Sequence, residues 1–138
     1  MSTPRDPTLS GLPEDWLRYA QADLALARVP LPVGAMYELL CFHAQQAVEK
    51  SVKAVLINFG IPVIKTHVLE RLIDLLPPEI ARPPDLIGSA RLNAYATVAR
   101  YPGEVEALTE ADYREAMRLS EAVVAWARGI VYGVEGVV

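Results

Sequence analysis

The chain has 138 residues, 52% of them hydrophobic and 22% charged, with a net charge of −4 and a pI near 5.2. That length fits one domain with its own core, and that hydrophobicity excludes a disordered chain. The acidic balance argues against broad nucleic-acid binding, which needs a basic face to neutralise phosphates.

The first 13 residues carry Pro4, Pro7 and Pro13 and read as a flexible lead-in to a single domain over 14–138. They hold no apolar core of the signal-peptide type. The longest apolar run, AVLINFGIPVI, is too short to span a bilayer. One cysteine, Cys41, rules out an internal disulfide and suits a reducing compartment. The expectation is a cytoplasmic protein away from membranes.

A first helix is expected over about 14–29. Glu14 and Asp15 suit its first turn, and Leu17, Ala20, Leu24 and Ala27 recur at helical spacing. PLPVG, Pro30 to Gly34, ends it. A second helix follows over 35–58, closed by Gly60. On a helical wheel Ala44, Ala47, Val48, Ser51, Val52, Val55 and Phe59 share one side. His43, Gln46, Lys50 and Lys53 share the other, which reads as a polar face. Thr66 then stands where an N-cap would precede VLERLIDLL, a short helix stopped by Pro77 and Pro78. A fourth helix is expected over 85–99, broken by RYPG at Arg100 to Gly103. The last runs over 109–131, with Thr109 and Asp112 spaced as a capping box and a stripe from Tyr113 to Val131. No strand pattern and no repeat appears. The fold class expected is all-α, an antiparallel up-and-down bundle of four to five helices.

Chemistry is sparse. Neither histidine has the Glu-x-x-His spacing of a bundle metal site, so no metal and no cofactor is expected. Cys41 lies on the core side of its helix beside Phe42 and reads as a small buried residue. No nucleophile elbow or phosphate loop is present. The cations are uneven, however. All three lysines, Lys50, Lys53 and Lys65, and both histidines, His43 and His67, fall between 43 and 67. Solubility explains exposed lysines, and Glu49 stands four residues before Lys53, the favourable pairing order. Against that, Lys65 to His67 stand at an expected helix start, where free N–H groups favour an anion. Arg100 and Tyr101 occupy a Pro-Gly break that displays side chains. A ligand site of Lys50, Lys53, Lys65, His67, Arg100 and Tyr101 is therefore expected, with phosphate on the cations and a base on Tyr101.

The run FHAQQAVEKSVKAVLINFG, then KTH, then a leucine-rich helix, together with WLRYAQADLALAR and ARYPG, resembles the HEPN domain (higher eukaryotes and prokaryotes nucleotide-binding). The likeness covers about residues 14–130. It implies a helical bundle, usually dimeric, often encoded beside a small nucleotidyltransferase. The function it implies is a non-catalytic nucleotide- or phosphate-binding module working with that partner. One branch of the family are ribonucleases, often toxins, whose Arg and His have four to six residues between them. No such pair occurs here, so ribonuclease activity in a toxin–antitoxin pair is the alternative of a different class. A purely structural dimer is the third.

Overall fold

The computed structural model describes residues 11–63, 65–95 and 107–133. Among these there are five α-helices, α1 Pro13–Ala27, α2 Tyr37–Asn58, α3 Leu69–Asp74, α4 Pro84–Gly88 and α5 Glu110–Tyr132, with a 3-10 segment at Ser89–Tyr95. No strand occurs among the described residues. The all-helical bundle expected from periodicity is the architecture found.

Helix α2 is the centre of the bundle. It packs against α1, α5, α3 and the 3-10 segment, while α1 and α5 also touch each other. The sequence allows this because α1 and α2 meet through small side chains. Ala20 and Ala27 of α1 and Ala44, Ala47 and Ser51 of α2 are fully buried, so the two backbones approach closely. Val48, Val52 and Val55 fill the remaining space with Leu17 and Leu24. The helices run antiparallel: Asp23 of α1 meets His43 of α2, and Trp16, seven residues earlier, lies against Lys53, ten residues later.

Helix α5 closes the other side with Ala116, Leu119, Val123 and Ala127. Its capping box is complete: Thr109 Oγ1 accepts from the Asp112 N–H, and Asp112 Oδ2 accepts from the Thr109 N–H. The Tyr113 hydroxyl donates to the Ala27 carbonyl at the end of α1, and its ring stacks on Tyr37 at 5.3 Å. The start of α5 is thereby fixed to the turn between α1 and α2.

Three expectations are corrected. The second helix has no solvated polar face at Lys53, because α2 is enclosed on nearly all sides; Gln45, Glu49 and Lys53 are buried with the apolar residues. Phe59, placed on the apolar side, is exposed because it follows the last turn. The fourth helix is not one α-helix from 85. It changes to 3-10 at Ser89, whose hydroxyl donates to the Leu86 carbonyl and so competes with the helical ladder next to Gly88. The end of that expected helix, and the RYPG break with Arg100 and Tyr101, lie outside the described residues.

Candidate functional site

Four of the five basic residues of the 43–67 stretch are held by two carboxylates, one from each of the antiparallel helices. Asp23 of α1 receives His43 Nδ1 on one oxygen at 2.9 Å and the Lys50 ammonium on the other. Lys50 and His43 are seven residues apart on α2, two turns on the same face, so one carboxylate reaches both. Glu49 receives Lys53 Nζ at 2.9 Å and His67 Nδ1 at 2.9 and 3.0 Å. Each acid thus takes one lysine and one histidine.

The two assemblies differ in burial. Glu49 is only 2% exposed and Lys53 only 4%. The Lys53 ammonium also lies over the Trp16 ring, 5.8 Å from its centre. A charge this deep is tolerated only when paired. Asp23 is likewise buried, but Lys50 and His43 reach partway to solvent. His67 is the outlier. Its side chain is 78% exposed although Nδ1 touches the buried Glu49. Its ring is anchored at Nδ1, and Nε2 bonds no described residue.

A local backbone device brings His67 there. Gly60 adopts φ +70°, the Ile61 N–H donates to the Leu56 carbonyl, and the Gly60 N–H donates to the Ile57 carbonyl. That is a complete Schellman motif, and it turns the chain back along α2. Thr66 is not the N-cap expected. The cap position is Val68, whose N–H donates to Thr66 Oγ1. The N–H of Leu69 donates to Asn93 Oδ1 from the 3-10 segment, and the same Asn93 amide donates to Glu70. The start of α3 is therefore capped from a distant residue, and Lys65 to His67 precede it rather than forming its first turn.

Of the six residues expected at the site, Lys53 and His67 converge on Glu49. Lys50 joins His43 on Asp23 in the next section of the same seam. Lys65 is exposed and forms no ion pair with another described residue. Arg100 and Tyr101 lie outside the described residues. Asp23, as the partner of Lys50, and Glu49, as the partner of His67, were missed. The only signals for them were the Glu49-to-Lys53 spacing and an acid at 23 on an otherwise apolar face of α1. No group of three or more metal-ligating side chains occurs among the described residues. Burial and the nearby acids Asp112 and Glu38 raise the Cys41 thiol to about 11, so it is no nucleophile at neutral pH. No described helix is long and apolar enough to cross a membrane.

The HEPN domain family model matches residues 13–130, nearly the whole chain. The chain belongs to the HEPN domain family. Two solved structures resemble this HEPN domain. TT1696 from Thermus thermophilus is 30% identical, with a TM-score of 0.74, covering 86% of this chain and 97% of that one. ST0689, described as an archaeal HEPN homologue, is also 30% identical, with a TM-score of 0.69, covering 88% of this chain and 99% of its own. No curated protein matches the sequence.

Proposed function

We propose that this HEPN domain is a non-catalytic binding module that receives the phosphate of a nucleotide beside His67 and works, as a homodimer, with a small nucleotidyltransferase that does the chemistry. One observation carries the proposal: a buried carboxylate, itself neutralised by Lys53, holds an exposed imidazole by one nitrogen. Nδ1 is committed, so Nε2 meets the ligand, in an orientation already fixed before binding. Lys65, two residues away, supplies an ammonium that pairs with no described residue. Lys53 acts through Glu49 rather than by contact, and Lys50 lies farther along the seam with its charge on Asp23. Arg100 and Tyr101 complete the proposed contact set.

The test is calorimetric titration of the full chain with ATP and with AMP. His67→Gln and Lys65→Ala should each weaken binding about 10- to 100-fold, the loss of one charge-assisted hydrogen bond of roughly 1.5–3 kcal/mol. Lys65→Ala should melt near the wild type, because its side chain is exposed, whereas His67→Gln should lose some stability with the Nδ1 contact to the buried Glu49. Binding that neither variant changes would reject the site.

A second reading draws on the same pair. A carboxylate-held imidazole with a free Nε2 is also the arrangement of a general base, which would favour RNA cleavage despite the missing Arg–His spacing. Metal-independent cleavage of RNA by the wild type, abolished in His67→Gln, would select that reading over a binding module.

A further inference from the structure

Helix α5 starts beside the end of α1, where Tyr113 donates to the Ala27 carbonyl, and runs back along it. The two helices leave a hollow of about 210 Å³ between them. Each lines it with positions about one turn apart: Gln21, Leu24 and Arg28 from α1, and Glu121, Val124 and Arg128 from α5. Because the helices run in opposite directions, the polar residues fall at its two ends. Arg28 faces Glu121 at one end, and Gln21 and Arg128 share the other. Leu24 and Val124, each 4% exposed, form the floor between them. Ala125 lines the mouth, is exposed and has no side chain beyond Cβ, so the hollow stays open to solvent.

The two ends differ in charge. At the first, Arg28 Nε donates to Glu121 at 3.2 Å and the two groups neutralise each other. The second holds a cation and no acid. Three and four residues before and after Arg128 stand Val124, Ala125, Val131 and Tyr132, so its own helix offers it no ion pair. Across the hollow stands Gln21, a neutral amide. Other surface arginines are paired: Arg18 with Asp15, Arg91 with Glu115 and Arg114 with Glu110. Arg128 and the Gln21 amide bond no described residue.

A guanidinium presents a planar fork of N–H donors that matches a carboxylate bidentately, and an amide N–H beside it adds another donor. The floor calls for an apolar body. Phosphate alone would leave that floor bare, an apolar molecule would leave the guanidinium unpaired, and an organic cation would be repelled by it. The hollow is also smaller than the usual site for a nucleotide-sized ligand. We propose that it binds a small monocarboxylate with a short apolar chain, the carboxylate on Arg128 and Gln21 and the chain on Leu24 and Val124. The Arg28–Glu121 pair closes the opposite end. This site shares no residue with the contacts proposed around His67 and does not depend on them.

The experiment is an amide NMR titration of the full chain with hexanoate. Shifts that saturate at millimolar hexanoate should appear around 21–28 and 121–128. Hexanol and hexylammonium should each bind at least about tenfold more weakly. Arg128→Gln should raise the hexanoate dissociation constant at least about tenfold, through the loss of one charge-assisted pair. Its fold should be intact, since the side chain is exposed. As a measurement that does not rest on charge, Ala125→Leu places a branched chain at the mouth and should abolish binding. Arg114→Gln, near the start of α5 and outside the hollow, should bind as the wild type does. So should His67→Gln, which separates this site from the nucleotide contact. No saturable shift at these amides, hexanol bound as tightly as hexanoate, an unchanged constant in Arg128→Gln or Ala125→Leu, or loss of binding in His67→Gln would each overturn the proposal.

Discussion

Replacing Lys53 with methionine tests whether the 43–67 cations form a solvated face or a buried network. Methionine keeps the unbranched apolar stem of lysine and removes the ammonium. Its loss leaves Glu49, 2% exposed, without the ammonium 2.9 Å away. Breaking a buried ion pair from one side costs about 3–5 kcal/mol, because the remaining charge stays desolvated. His67 still reaches Glu49 and places the expectation toward the lower end of that range. A chain of this length has an unfolding entropy near 0.3 kcal/mol/K, so the melting temperature should fall by about 10–17 °C. An exposed lysine would give a shift within about 2 °C. The double variant Glu49→Leu, Lys53→Met removes both charges and should recover most of the loss, since apolar replacement of a buried pair is often neutral. Differential scanning calorimetry of the wild type, Lys53→Met, Glu49→Leu and the double variant gives the coupling directly. A Lys53→Met shift below about 3 °C, or a double variant as unstable as the single, would refute the burial of this pair.

Cys41 should resist thiol reagents at pH 8 in the folded protein and react fully in denaturant, which a chromogenic disulfide assay reads. The same thiol sets a pH dependence: burial raises it from its ordinary 9.0 to about 11, so its proton is held more tightly in the fold. The associated stability is intact below pH 9 and is lost as pH rises through about 11; Tyr113, also raised by burial, acts in the same direction. Urea midpoints that rise across that window would contradict this. Gly60→Ala should cost about 1 kcal/mol through its φ of +70° alone, since a Cβ there meets nothing within 4 Å; an equal or higher melting temperature would count against the Schellman turn. Thr109→Ala removes the acceptor of the Asp112 N–H and should cost about 1 kcal/mol by urea denaturation, and no change would show that the α5 cap contributes nothing.

Periodicity made α1, α2 and α5 legible because each is long enough for its buried positions to recur several times. Gly60 and the Thr109–Asp112 box were readable for a similar reason: their partners lie within a few residues. What failed depended on residues far apart in sequence. Thr66 was the only hydroxyl before the leucine-rich run, so it looked like a cap, but the N–H of Leu69 is taken by Asn93, 24 positions away. The 3-10 segment carries apolar residues that a helical wheel accepts, and the switch depends on one hydroxyl bond beside a glycine.

The misreading of the lysines has the same origin. A wheel sorts residues by polarity and assumes that one face of a helix meets water. For α2 that assumption fails, because α1, α5 and the returning chain enclose it. A polar residue on such a helix needs a partner more than it needs solvent, and each partner here lies where pattern analysis has no access. Asp23 is 27 positions from Lys50, and Glu49 is 18 positions from His67. The clustering of cations in the sequence therefore has a structural cause before any ligand is considered: two acids sit on one seam, and the cations collect around them. That cause accounts for Lys50, Lys53 and His43, whose polar atoms the acids already engage. It does not account for Lys65 or for His67 Nε2, neither of which bonds a described residue. Those two groups are what the internal network leaves over among the described residues, and the anion contact proposed above rests on them.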